Sequence, residues 1–230
     1  MSISHWALIC GLGIVLAAPT TAQEPHGTLF VSGNMDIFQS GGQNDGSGGV
    51  PPFAFTFPAA SNRFLIFESI LGLWTCADGN PVAVPWGPDG TSATGNACYP
   101  RASIKGPVGS LSGYETTDFT GALVGVFLED SLPGTAPPAL RFYVSDHSEG
   151  GIPTSFGGLR PAIGQVFFVG DGLTGSGTGV QQTFLVPPTA TRLFLGYVDS
   201  CSASGYAGPG CYGDNGGAVI AAFHITPPVE

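Results

Sequence analysis

Charge is scarce in this chain. Of its 230 residues only 10% are charged, and 6 Lys or Arg stand against 16 Asp or Glu, for a net charge of −10. So small a basic complement excludes nucleic acid as a partner, because an acidic surface repels a phosphate backbone. An acidic surface with few lysines suits divalent cations better. Long stretches free of glycine and proline are also missing. Beyond the N-terminal region the longest is Ala59–Leu71, which excludes a long helix. No later run reaches the roughly 18 apolar residues of a membrane-spanning helix, so membrane insertion is not expected. The catalytic spacings GxSxG and HExxH do not occur, and no catalytic residue is assigned.

What the chain has in abundance is glycine and proline, 37 and 20 residues, about a quarter of the total. Average usage is nearer an eighth. Even so, 43% of residues are apolar and 16 are Phe, enough surface to offset chain entropy, so the chain folds. Near the N-terminus an apolar run, Trp6–Ala18, stops at Pro19-Thr20-Thr21-Ala22-Gln23. It is short for a membrane span and small residues follow it. A signal peptide over residues 1–22, cut after Ala22 or Gln23, is therefore expected, with a single secreted domain over 23–230. Cleavage would remove Cys10 and leave Cys76, Cys98, Cys201 and Cys211. An even count in an exported chain implies disulfides. Of three possible pairings, Cys76–Cys98 with Cys201–Cys211 is favoured because each closes a local Gly/Pro-rich loop; four buried free thiols are the alternative.

Short apolar runs separated by turn residues predict strands near Thr28–Ser32, Phe53–Phe57, Arg63–Ser69, Leu73–Cys76, Ala122–Leu128, Leu140–Val144, Gln165–Val169, Gln182–Val186, Arg192–Val198 and Ala218–Ile225. Some alternate with period two. Leu193, Leu195 and Tyr197 share one face, as do Val219, Ala221, Phe223 and Ile225. Many strands, many turns and no helical periodicity predict an all-β antiparallel sandwich or barrel. Gly33–Pro52 and Ala77–Gly121 are long glycine-rich loops, of the kind that is functional or covered by another element.

Several motifs reduce to turn chemistry. Gly170-Asp171-Gly172-Leu173-Thr174-Gly175 matches GxGxxG, but Ser176-Gly177-Thr178-Gly179 follows where a dinucleotide site needs a helix, so it is a connection between strands. Asp146-His147-Ser148-Glu149 reads as a solvated turn. Glu129-Asp130 pairs two carboxylates, but a glycosidase needs them across a cleft.

The C-terminal third is richer. Asp199 closes the strand Arg192–Val198, and a loop bracketed by Cys201 and Cys211 leads to Tyr212-Gly213-Asp214-Asn215-Gly216-Gly217, where the last strand begins. Asp199, Asp214 and Asn215 thus reach the mouths of two successive strands. Ca²⁺ takes six to eight oxygens from carboxylates, amides and backbone carbonyls. The plainer alternative is that Asp214-Asn215-Gly216 is only a turn.

Here the chain resembles the LecA (PA-I-type) galactose-binding lectins. Thr191–Asp199 and Tyr212–Gly217 look like their calcium site, and Trp86–Gly90 and Phe119–Gly125 agree in order. The run Gln165–Gly175 also resembles ectodomains of PEP-CTERM-sorted bacterial proteins. The lectin resemblance implies a jelly-roll-like β-sandwich of the galactose-binding type. It further implies Ca²⁺ bound by the side chains of Asp199, Asp214 and Asn215, the carbonyl of Cys211 and a backbone ligand near Asp78. Sugar hydroxyls would complete the metal shell beside Asp199, Asp214, Asn215 and Ser200, with Tyr206, Tyr212 or Trp86 stacking on the sugar or packing in the fold. The lectins hold the sugar's exocyclic hydroxyl with a His and a Gln after the WGPxG segment. This chain has neither between Trp86 and Gly121, so galactose itself is not implied. No apolar anchor follows Ile225, and a freely secreted protein is expected.

The expectation is thus a secreted, non-enzymatic, calcium-dependent protein that binds a glycan or small sugar. A weak single contact would gain from homo-oligomerisation. The rival is an extracellular or cell-surface matrix protein in which Ca²⁺ only stabilises loops, and a secreted hydrolase comes third.

Overall fold

The computed structural model describes residues 24–77, 79–80, 84–92, 103–201 and 208–228. The expected signal peptide, Asp78, Cys98 and Tyr206 lie outside them. Among the described residues there is no α-helix, only strands and two short 3-10 segments, and no helix is long and apolar enough to cross a membrane.

One sheet has five strands in the order β1 (His26–Ser32), β14 (Gly216–Ile225), β3 (Arg63–Thr75), β12 (Thr183–Val186) and β8 (Gly158–Leu159). A second has four, β2 (Ala54–Thr56), β13 (Arg192–Gly196), β5 (Val124–Leu128) and β9 (Phe167–Phe168). A third holds β4 (Tyr114–Thr116), β6 (Leu140–Tyr143) and β7 (Ile152–Pro153), and β10 (Leu173–Gly175) pairs with β11 (Thr178–Gln181). The first two sheets face each other through aromatic rings. Phe55 of β2 meets Phe223 of β14 edge-on at 5.0 Å, and Phe167 of β9 lies 5.3 Å from Phe184 of β12.

The described residues are therefore all-β, with antiparallel pairing in both main sheets except at the β8 edge. Two places differ from a purely antiparallel reading. Strands β4, β6 and β7 run parallel, and β8 joins β12 in parallel. A third difference concerns Gly72, which separates two expected strands but lies inside one continuous β3. It has φ +134°, and a Cβ there would stand 2.3 Å from the carbonyl oxygen of Ala218. Only glycine lets the two backbones approach that closely, so the residue read as a break joins the strand.

The alternation read in β14 holds: Val219, Ala221, Phe223 and Ile225 are all buried, and Ile220 between them is exposed. Leu193, Leu195 and Tyr197 are buried too, but so is Phe194, so β13 is covered on both faces. The loop Gly33–Pro52 is one cover. Its 3-10 segment, Ile37–Gly42, buries Ile37 and Phe38. Backbone bonds run from the Tyr197 N–H to the Met35 carbonyl (2.9 Å) and from the Ile37 N–H to the Tyr197 carbonyl (3.2 Å). Gly196 admits the crossing, since a Cβ would lie 2.9 Å from the Met35 oxygen.

Phe223 touches rings from both sheets, Phe55 and Phe67. Phe223→Ala should cost about 3–5 kcal/mol in chemical denaturation. Ile220→Thr, three residues away on the solvent face, should change stability by less than about 0.5 kcal/mol. Equal losses would mean the faces of β14 are wrongly assigned.

Candidate functional site

Strand β13 does not stop at solvent. Tyr197, Val198, Asp199 and Ser200 are all buried, and the chain then reaches Cys201, which is disulfide-bonded to Cys211 with Cα atoms 5.1 Å apart. This is the local pairing favoured from the sequence. Cys76 is also disulfide-bonded; its expected partner, Cys98, lies outside the described residues. Across the neck of the clipped loop the Gly210 N–H donates to the Asp199 carbonyl at 3.1 Å. Cys211 adopts a left-handed conformation (φ +64°) and starts the 3-10 turn Tyr212–Asp214.

Tyr212 fixes this loop. Its fully buried hydroxyl donates to the Tyr197 carbonyl (3.1 Å) and accepts from the Asp199 N–H (3.0 Å). Burial pushes the phenol well above its usual range. The Asp199 carboxylate is 3% exposed, and its Oδ1 accepts from the Ser200 N–H at 2.7 Å. Asn215 donates from Nδ2 to the Gly33 carbonyl at 3.0 Å, while its Oδ1 is buried and accepts no hydrogen bond. Asp214 points to solvent.

Asp199 and Ser200 thus lead into the clipped loop and Cys211, Tyr212 and Asn215 lead out of it, with Asp214 exposed and the Tyr212 hydroxyl joining the two sides at Asp199. Where three His, Cys, Asp or Glu side chains converge among the described residues, neither Asp199 nor Asp214 takes part. Tyr212 and Trp86 are core rings, so packing in the fold is what the structure gives them. Trp86 exchanges two 3.0 Å backbone bonds with Trp74, and both indole N–H groups donate to the Gly121 carbonyl. The segments Trp86–Gly90 and Phe119–Gly125 thus meet in space. Trp74 stacks on Tyr197 at 3.9 Å, which ties them to the end of β13.

Sequence reasoning missed Asp36. It lies in the loop Gly33–Pro52 and is wholly buried. Its Oδ1 accepts from the Phe38 N–H (2.9 Å) and its Oδ2 from the Ser47 hydroxyl (2.5 Å). Gly49 allows the loop to lie on Tyr212, since a Cβ there would fall 2.5 Å from the Asp36 Cβ and 3.1 Å from the Tyr212 ring. Gln39 stitches the loop, donating from Nε2 to Asp45 Oδ1, Ser47 Oγ and the Gly49 carbonyl. Burial first, and then the adjoining Asp45 carboxyl, push Asp36 up to about 7 from its ordinary 3.8. Burial acts on Asp45 too, but hydrogen bonds from Asp36, Ser47 and Gln39 outweigh it and hold that carboxyl below its usual range. The pair shares one proton. The signal available in the sequence was an acid directly before the apolar pair Ile37-Phe38.

Beside this pair, a cavity of about 360 Å³ opens between Gln43–Asp45, Pro107–Gly109 and Gly208-Pro209 of the clipped loop. The other motifs are turns. His147 lies on an exposed turn, its carbonyl bonded to the Gly150 N–H. Gly170–Gly175 leads into the β10–β11 hairpin, with Asp171 accepting from the N–H groups of Leu173 and Gly177.

The shared proton sets a pH dependence. The folded chain keeps it on Asp36, whereas the unfolded chain releases it above 3.8, so stability falls as pH climbs from 3.8 to about 7. Asp171, also raised by burial, adds to the same slope; Asp45 acts below 3.8, outside this window. Asp36→Asn keeps the acceptor for Phe38 and carries no titrating proton. Urea midpoints measured across the window in calcium-free buffer should therefore decline less steeply in the variant. An unchanged slope would refute the buried pair.

Comparison of the chain with models of protein families, with curated proteins and with solved structures finds no match.

Proposed function

We propose that this chain is a secreted, calcium-dependent carbohydrate-binding protein, built as a jelly-roll-like sandwich of the galactose-binding type. The observation that carries the reading is the Asn215 Oδ1: a buried amide oxygen that accepts no hydrogen bond, on the loop that also holds the Asp199 carboxylate. A buried acceptor left without a donor is costly, and a hard cation would satisfy it. The donors that the two sides of this loop offer are oxygens, namely a carboxylate, an amide and backbone carbonyls, which is calcium chemistry. The ion would be held by Asp199, Asn215 and the Cys211 carbonyl, with Asp214 turning in from the rim and a backbone ligand near Asp78. A bound ion supplies open coordination positions for two sugar hydroxyls. The adjoining cavity lined by Asn44, Asp45 and Pro209 is the right order of size for a small sugar, and Ser200 lies deeper in the loop.

The near-complete burial of Asp199 and Ser200 favours a second reading, in which the ion is enclosed and only stiffens the loops of an extracellular matrix protein. Both readings require calcium and only the first requires sugar.

Thermal unfolding with millimolar calcium should therefore show stabilisation of about 2.7 kcal/mol at a hundred times the dissociation constant. Asp199→Ala should lose that response, and His147→Ala should keep it. A glycan array run with and without EDTA then separates the readings: an EDTA-sensitive signal supports the lectin, and calcium binding without glycan supports the structural role. A wild-type melt indifferent to calcium would sink both.

A further inference from the structure

A second group of ligating side chains lies on the outer face of the five-stranded sheet. His26 of β1 and His224 of β14 are direct cross-strand partners, with ring centroids 5.5 Å apart. Glu68 belongs to β3, the next strand. The register there passes from Ala222↔Ser69 to Phe223↔Phe67, so Glu68 is the extra residue of a β-bulge. Its side chain and that of Ser69 are consecutive and both exposed, breaking the alternation of the strand. Re-aiming a side chain is what such bulges do. Here it lifts a carboxylate between two imidazoles.

The Glu68 Oε1 lies 2.9 Å from Nδ1 of His224 and 3.4 Å from Nδ1 of His26, and the three ligand atoms fall within 4.8 Å of one another. A tetrahedral ion with bonds of about 2.0–2.1 Å separates its ligand atoms by roughly 3.3 Å, close to the two measured edges. Across the ring of His26, Nε2 faces Glu24 Oε2 at 3.7 Å. A carboxylate behind a ligating imidazole fixes the ring orientation and raises its basicity. The side chains of His26 and Glu68 are 57% and 46% exposed, so an ion can enter from solvent and keep a coordination position open.

We propose that His26, Glu68 and His224 form a mononuclear site for a borderline divalent transition ion, with zinc its representative. Two imidazoles and one carboxylate suit zinc, copper or nickel, whereas calcium selects oxygen. The ligands stand on three hydrogen-bonded strands, so little ordering opposes binding. This site shares no residue with the calcium loop and does not depend on it.

The test is calorimetric titration of tag-free full-length protein with Zn²⁺ in excess Ca²⁺, repeated on His26→Ala, His224→Ala and His147→Ala. One equivalent should bind to wild type and to His147→Ala, with at least tenfold weaker binding in the other two. Cobalt added in place of zinc should give the visible absorption of a tetrahedral complex. Far-UV circular dichroism and urea midpoints of His26→Ala and His224→Ala, both close to those of wild type, verify that the fold is intact. Zinc affinity unchanged in both His26→Ala and His224→Ala, or no stoichiometric binding by wild type, overturns the site.

Discussion

The hydroxyl of Tyr212 holds the C-terminal loop to the rest of the molecule. From full burial it donates to the Tyr197 carbonyl and accepts from the Asp199 N–H. The Tyr197 carbonyl also accepts from the Ile37 N–H, but the Asp199 N–H lies beyond β13, where no neighbouring strand supplies a partner, and leaving it unpaired would cost about 1–3 kcal/mol. The ring serves the other side, forming the floor on which Gly49 and Asp36 settle. Three chain segments far apart in sequence thus meet at one side chain. The Cys201–Cys211 bridge shortens the loop, but Tyr212 decides where it lies.

Scarce charge has a structural use. Loops rich in glycine contain many N–H groups and few side chains to accept from them, and aspartates fill that need. Asp118 accepts from the N–H groups of Val144, Ser145 and Asp146; burial pushes its carboxyl up, but these bonds outweigh burial and hold it below the usual range. Asp36 and Asp171 likewise accept from backbone N–H groups in shorter turns. Arginines also serve the backbone: Arg63 donates to the carbonyls of Pro58 and Thr226, and Arg192 to that of Glu129. The acidic excess read from composition as a preference for divalent cations is thus partly spoken for by loop amides.

The legible parts of the sequence were those with period two. The alternation of β14 located both faces of that strand, and turn residues placed most other strands within two or three positions. The short parallel strands β4, β7 and β8 left no signal because two or three residues are too few to show a period. Gly72 misled because glycine marks a break and a close approach equally well. At the candidate site, Asp199 and Asn215 were legible from their positions between strand and turn, and the local Cys201–Cys211 bridge from spacing. Asp36 was not, since its burial depends on Gly49, Tyr212 and Tyr197, none of them near it in sequence. Trp86 and Tyr212 could be assigned to the interior only once the Gly121 carbonyl and the end of β13 were placed beside them.

The two groups of candidate ligands differ in what supports them, and that difference bears on how binding would couple to the fold. His26, Glu68 and His224 stand on adjacent strands joined by backbone hydrogen bonds. Positions set in this way are paid for by the sheet itself, so an ion there would add little to its order. Asp199 and Asn215 stand at the two ends of a loop whose shape depends on one disulfide and one phenol. An ion bound there would draw in Asp214 from the exposed rim and replace solvent around it. Binding free energy at the loop would thus appear largely as stability of the loop, and at the sheet largely as affinity. The same distinction separates a ligand that organises a protein from one that the protein is already organised to receive.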